Sequence, residues 1–455
     1  MTDDELMEQE LVRCNKCGYC LSTCPTYNVE FSEGQAARGR LVLLQALRDG
    51  ELALSQENQR PDSGLVQELG EAVSGCLLCG ACTEACFSAI HTDELMVRAR
   101  AGMPGGPPKG VRLLTRHFLL RPERLTAIMR LAGVGRRTGM VRLLRRLSPT
   151  LELAEELVEP APREFLRDRL REIGFHPEGR SGTWVLPRDP RALTVGPRVV
   201  YFIGCGTNYQ LPEPGAAAMR LLARAGCEVV VCPHVCCGLP PYSYGDLVSA
   251  RELARRNLEL LGGLGADFLV TECGSCGRFL KRYPELLAEE PDLARQAEAL
   301  GEQVRDFTEL LATLPLPEPV NPPAGVVTYH DPCHLGRGQG VTEEPRRLLR
   351  EAAGAKLVEL PEANWCCGGA GTYNLAHPQR SEAILQRKVA NIESTGAEIV
   401  ATACPACLLQ LRHGLRMSGS GAVVKHVAEI VAEAQGLRSA RVEEGVRGGT
   451  TNCET

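Results

Sequence analysis

Cysteine sets this 455-residue chain apart: it has 21, and most fall into four groups. The first is Cys14, Cys17, Cys20 and Cys24; the second is Cys76, Cys79, Cys82 and Cys86. The third is Cys205, Cys236, Cys237, Cys273 and Cys276; the fourth is Cys333, Cys366, Cys367, Cys404 and Cys407. Cys227, Cys232 and Cys453 stand apart. Thiolates ligate soft metals and attack disulfides. The opening MTDDELMEQE is acidic, without a hydrophobic signal core, and no run of about 18 apolar residues follows. A cytoplasmic location is therefore expected, where clustered thiols read as metal ligands rather than disulfides. The odd count also fits full pairing badly.

CNKCGYCLSTCP, residues 14–25, reads C-x2-C-x2-C-x3-C-P. That run is the bacterial signature of a 4Fe–4S cluster. A tight turn points three thiolates inward, and the fourth comes from elsewhere. In two-cluster ferredoxins the fourth cysteine serves the other cluster. Cluster one is thus expected on Cys14, Cys17, Cys20 and Cys86, and cluster two on Cys76, Cys79, Cys82 and Cys24. Pro25 follows the first run, whereas the second, CLLCGACTEACF, has Phe87 there. Zinc is the alternative, but its sites usually pair two C-x2-C units.

The third and fourth groups are copies. Cys205, Cys236 and Cys273 recur as Cys333, Cys366 and Cys404, at offsets of 128, 130 and 131 residues. Each copy reads C…CCG…C-x2-C. Five thiolates exceed the four that one cubane needs. Gly238 and Gly368 allow close backbone approach, and helices starting beside the cysteines would aim N–H groups at an anionic cluster. The alternatives are an inert buried cysteine set and a catalytic dithiol. His234, His330 and His334 lie beside cysteines as candidate proton carriers or donors to sulfur, or as packing groups. Asp331 and Tyr373 have the same standing. Gly368, Gly369 and Gly371 suit a tight turn or an anion nest. Cys232 is a candidate spare ligand, Cys227 a helix-end packing residue, and Cys453 part of an unordered tail.

The elements that must hold these cysteines follow from pattern. PRVVYFIGCG pairs with GVVTYHDPCH, EVVVCPHVCCG with KLVELPEANWCCGG, and ADFLVTECGSC with AEIVATACPAC. Each cysteine cluster follows a β-branched run read as a buried strand. Helical stretches lie between, so two α/β units with parallel sheets are expected, their sites beyond the carboxyl ends of the strands. The predicted class is α+β and α/β multidomain. Residues 1–100 form a helical two-cluster ferredoxin-like domain, 101–195 a basic, mainly helical connector, 196–323 and 324–440 two repeated cysteine-rich domains, and 441–455 a disordered tail. From Lys109 to Arg146 the connector has eleven Lys/Arg and one acid, Glu123. It reads as a packing segment, or as a basic surface for a partner or anionic lipid.

Composition excludes other classes. Apolar residues are 44% and charged residues 24%, ordinary for a globular chain. The net charge of −5 and the 4% of aromatics argue against nucleic acid. No G-x-G-x-x-G opens a helix after a strand, and no Walker A, H-E-x-x-H or nucleophile elbow is present. Clusters exchange electrons but do not themselves take hydride from an alcohol, so a partner with an organic cofactor is expected.

The CCG pattern resembles the cysteine-rich domains of the heterodisulfide reductase catalytic subunit. In that family each copy can carry a noncubane 4Fe–4S cluster on its five cysteines. The whole arrangement resembles the glycolate oxidase iron–sulfur subunit family over roughly residues 10–435. Two stretches carry this, CPTYNVEFSEGQAARGRLVLLQALRDGEL (24–52) and CCGGAGTYNLAHP (366–378). The resemblance implies two ferredoxin-type 4Fe–4S clusters with one or two further clusters in the CCG domains. It also implies an FAD-containing partner that oxidises a 2-hydroxy acid such as glycolate or lactate, and onward transfer to a quinone or other carrier, with peripheral membrane contact open. Some members lack cysteines in a C-x2-C pair that this chain retains, so a disulfide-reductase role stays open.

Overall fold

The computed structural model describes residues 3–52, 64–104, 106–138, 161–179 and 182–437. Cys453, the tail from residue 441 and residues 139–160 of the connector lie outside them.

Apolar residues at helical spacing build an all-helical N-terminal unit. Helices Asp3–Val12, Ala37–Arg48, Gly64–Ser74 and Thr92–Gly102 close over Leu11, Leu41, Leu44, Val73, Leu95 and Met96. The short helices Tyr19–Thr23, Pro25–Glu30 and Ala81–Glu84 carry the cysteine runs. Arg40 is buried among them. Its guanidinium donates to the Ala72 carbonyl at 2.6 Å and to Gln35 Oε1 at 3.0 Å, tying helix Ala37–Arg48 to helix Gly64–Ser74, which leads into the second motif.

Two sheets follow. The first comprises β1 (His176–Pro177), β2 (Trp184–Leu186), β3 (Arg198–Tyr201), β4 (Glu228–Val231), β5 (Phe268–Thr271) and β6 (Val304–Asp306), in the order β1-β2-β4-β3-β5-β6. The second comprises β7 (Val326–His330), β8 (Lys356–Val358), β9 (Ile399–Thr402) and β10 (Val423–His426), in the order β10-β9-β7-β8. Strands β4-β3-β5-β6 and β8-β7-β9-β10 are parallel and follow the same topology. In each copy the chain steps from the first strand to one side, then crosses to the other. That reversal opens a crevice at the carboxyl ends, where open α/β sheets bind ligands.

β2 pairs antiparallel with β4, and Leu166, Leu170, Ile173 and Phe175 enter the same core. Residues from the end of the connector thus complete the sheet and core of the first cysteine-rich unit. Between residues 106 and 138 the connector is helical, over Lys109–Leu114, Thr115–Leu119 and Pro122–Arg137. It packs on that unit: Leu119 is buried in its core, and Arg130 Nη2 donates to both carboxylate oxygens of Asp168 at 2.9 and 3.0 Å.

The two repeats share one core, in which helix Pro212–Arg224 lies against Val427–Ala434 and Tyr201 joins the same cluster as Tyr329. The N-terminal unit docks on both. Helix Pro378–Ser394 packs on Pro25–Glu30, and Cys333–Gln339 on Ala81–Glu84, where Arg337 pairs with Glu84 at 2.7 Å. Buried Asp93 pairs with Arg278 of the first repeat. Burial alone would raise its carboxyl, but Arg278 and Arg282 hold it below the usual range.

Candidate metal centres

The two N-terminal loops fold alike. Lys16 and Leu78, each just before the second cysteine of its run, both take a left-handed φ of 55°. A bulky residue there costs on the order of 1–3 kcal/mol and is typical of functional sites. The turn aims backbone amides at sulfur, with Leu78 N 3.4 Å from Cys76 Sγ. A cavity between the motifs is lined by Cys24, Cys76, Cys79 and Cys82, with Thr26, Arg40 and Asp93. Cys24 thus shares a cavity with three cysteines of the second motif. Tyr19 of the first run and Phe87, next to Cys86, meet edge to face at 4.9 Å. Cys17 is exposed, whereas Cys79 is buried.

In both repeats the cysteines sit at the carboxyl ends of strands and the starts of helices. Cys205 and Cys333 open helices Cys205–Tyr209 and Cys333–Gln339. Cys273 and Cys404 cap Gly274–Lys281 and Pro405–Ser418. The free N–H groups of such helix starts favour an anionic ligand. Gly238 and Gly368, each after a cysteine pair, are left-handed at φ 103° and 82°. A Cβ on Gly368 would lie 2.7 Å from the Ser381 carbonyl, so only glycine fits against that helix.

Sulfur contacts link the groups. In the first repeat Cys205 meets Cys236, and Cys237 meets both Cys236 and Cys276. In the second, Cys366 meets Cys333 and Cys367, and Cys407 meets Cys404 and Cys367, the last pair at 3.6 Å. Two further contacts cross between units: Cys79 meets Cys366, and Cys404 meets Cys273. Cys366, donating to the Cys79 sulfur, holds that thiol down at about 6 against the opposing effect of burial. Burial pushes Cys76 and Cys82 up.

This donor set fits iron–sulfur clusters. The clustered groups are soft thiols, and the cysteines of the described residues are free rather than disulfide-bonded. So many buried thiolates would repel one another without cations among them.

The neighbouring residues divide by role. His234 stacks on Phe202 at 4.1 Å, and its Nε2 accepts from the Ile203 amide at 3.1 Å. Asp331 forms a bidentate pair with Arg346 at 2.9 and 2.7 Å. The Tyr373 hydroxyl donates to the Gly75 carbonyl at 3.1 Å. These three have structural partners. His334 lies where three units meet, with Nδ1 3.2 Å from Ser275 Oγ and Nε2 3.3 Å from the Leu78 carbonyl; burial pushes it down to about 4. His330 makes no hydrogen bond of good geometry on either nitrogen and interacts with the Cys367 thiol. Cys227 and Cys232 are buried among apolar side chains, and burial pushes them up to about 12 and about 11.

Two groups went unnoticed in the sequence. Glu272, beside Cys273, is buried and accepts from the Tyr201 and Thr207 hydroxyls. Lys388 is fully buried, and its ammonium donates to the carbonyls of Glu362 and Ala363. Burial lowers Lys388 to about 8, against the raising effect of Cys367 and Cys366. A signal existed, because Lys388 occupies the same helical face as Ser381, Leu385 and Ile392. A unit charge at ~8 Å acts with about 2 kcal/mol at an effective dielectric of about 20, or roughly 90 mV for one electron. Lys388→Met should lower the midpoint potential of the second cysteine-rich domain by several tens of millivolts in a redox titration. An unchanged potential would mean that solvent screens this charge.

Fold and site together define a multi-cluster iron–sulfur protein, with a 4Fe–4S dicluster domain matching residues 10–90 and a cysteine-rich domain matching 199–281 and 327–412. The chain is 31% identical to the probable glycolate oxidase iron-sulfur subunit of Bacillus subtilis (strain 168), over 96% of each chain. It belongs to the glycolate oxidase iron–sulfur subunit family. It is also 28% identical, over 96% of each chain, to a subunit of the dihydromethanophenazine:CoB–CoM heterodisulfide reductase of Methanosarcina barkeri. Lactate utilization protein A of Bacillus licheniformis is 32% identical over 51% of this chain and 98% of its own length. Among the described residues no helix is long and apolar enough to cross a membrane.

Proposed function

We propose that this chain is the electron-transfer subunit of a 2-hydroxy-acid dehydrogenase, receiving electrons from an FAD-containing partner and delivering them to a quinone or another carrier. The observation that carries this reading is the unbroken line of sulfur contacts. It runs from the cavity of Cys24, Cys76, Cys79 and Cys82, through Cys79 and Cys366, to Cys404 and Cys273. A 4Fe–4S cluster, when bound, takes up and releases one electron at a time.

In this reading Cys14, Cys17, Cys20 and Cys86 hold the outer cluster, and Cys76, Cys79, Cys82 and Cys24 the inner one. The five cysteines of each repeat hold the others. Cys17 and its exposed neighbours Tyr19 and Phe87 make the outer end accessible to the partner. Backbone amides and Lys388 offset negative charge, and the packed units keep water from the inner sulfurs. The reading takes hydroxy-acid chemistry from the relatives, whose names give glycolate oxidase and lactate utilization.

The test is an anaerobic pull-down of the tagged chain from its own cell. The eluate is scanned for flavin absorbance and for bleaching by glycolate, lactate and related acids. Bleaching supports the reading and names the substrate. The complete cysteine sets, meeting at Cys404 and Cys273, favour a second reading, a disulfide reductase. Iron without flavin, in a preparation that cleaves disulfides when given low-potential electrons, would replace the first reading with the second.

A further inference from the structure

The two repeats differ at the strand end before their first cysteine. By alignment on Cys205 and Cys333, Phe202 of the first copy corresponds to His330 of the second. Phe202 packs under His234. His330 is 1% exposed at the end of β7, neither Nδ1 nor Nε2 makes a hydrogen bond of good geometry, and the ring interacts with the Cys367 thiol. Its neighbour Asp331 is occupied by Arg346. What His330 does face is sulfur: one ring nitrogen and the Sγ atoms of Cys367 and Cys407 all lie within 4.8 Å of one another.

A buried imidazole left unpaired costs about 1–3 kcal/mol for each unsatisfied group. Its N–H can be satisfied by a thiolate. Its lone pair cannot, because metal-bound thiolates carry no proton. A metal atom seated between Cys367 and Cys407 would satisfy the lone pair, since imidazole and thiolate both bind tetrahedral metals at ~2.0–2.3 Å.

We propose that His330 is a nitrogen ligand of the metal group in the second cysteine-rich domain, making its donor set different from that of the first. This rests on the reading that the second repeat holds a cluster. No bond is made or broken beyond metal coordination. The first repeat, with phenylalanine at this position, has no equivalent ligand.

The test uses the full-length holoprotein, prepared anaerobically with natural-abundance or ¹⁵N-labelled histidine and poised across its redox range. Pulsed EPR then reads nitrogen hyperfine coupling on the signal that Cys407→Ser abolishes. The expected result is a strong coupling that changes with the label and is lost in His330→Phe, which copies the first repeat. His330→Gln serves the same purpose should the phenylalanine variant not fold, and the labelled wild type needs no variant. A Cys407-dependent signal with no histidine coupling, with only the weak coupling of a hydrogen-bonded ring, or with coupling that persists in His330→Phe would overturn the proposal and leave the electron-transfer reading standing. No signal dependent on Cys407 in any redox state, with iron content unchanged by Cys366→Ser/Cys367→Ser, would overturn both.

Discussion

Cys24→Ser should empty the inner site of the N-terminal unit, although Cys24 belongs to the first run in sequence. The expected loss is about four iron atoms per chain, one cubane, with a spectrum matching Cys79→Ser and unlike Cys14→Ser. The physical reason is direction. Pro25 starts a new helix, Pro25–Glu30, whose N-cap is Cys24. After that turn Cys24 lines the cavity shared with Cys76, Cys79 and Cys82. There it lies 3.2 Å from Thr26 Oγ1, in the region that buried Arg40 holds together. Serine offers a harder oxygen that ligates iron more weakly. Iron analysis and EPR of the three variants decide the matter. A Cys24→Ser spectrum that matches Cys14→Ser instead would show that each run closes on itself.

The second large effect concerns order. Cys366→Ser/Cys367→Ser should isolate the first cysteine-rich domain from electrons entering at the N-terminal unit, so its reduction by the partner slows by orders of magnitude. The mirror variant, Cys236→Ser/Cys237→Ser, should leave reduction of the second domain at its wild-type rate. Chain order suggests the opposite, since the first repeat follows the N-terminal unit in sequence. Sulfur contacts reverse it: Cys79 meets Cys366 of the second repeat, and the first repeat is reached through Cys404 and Cys273. The N-terminal unit does touch the first repeat, through Asp93 with Arg278 and Glu94 with Arg282, but those are ion pairs rather than sulfurs. Freeze-quench EPR after mixing with substrate-reduced partner separates the two domains. Equal slowing in both variants would mean parallel rather than serial entry.

Much of the site was legible because it is local. A C-x2-C-x2-C run closes a turn over a few residues, whatever surrounds it, and the left-handed Lys16 and Leu78 repeat that turn. A β-branched run followed by a cysteine and a helix places a thiol at a strand's carboxyl end, and the same parallel topology in both sheets follows from repeating that unit. Gly238 and Gly368 were readable for the same reason, since the left-handed step lies within the motif itself.

What the chain alone determined, then, is the inventory and local posture of the thiols, because both depend on spacing over a turn or a strand. Tertiary structure decided which groups meet. Cys79 reaches Cys366, and Cys404 reaches Cys273, only because helices Ala81–Glu84 and Cys333–Gln339 pack and the two sheets share a core. It also decided that β2 from the connector completes the first sheet, that Lys388 is buried, and that His330 faces sulfur while Phe202 faces a histidine. Those outcomes depend on side chains far apart in sequence burying apolar area together. Contacts of that kind leave no period and no motif in the residues that make them.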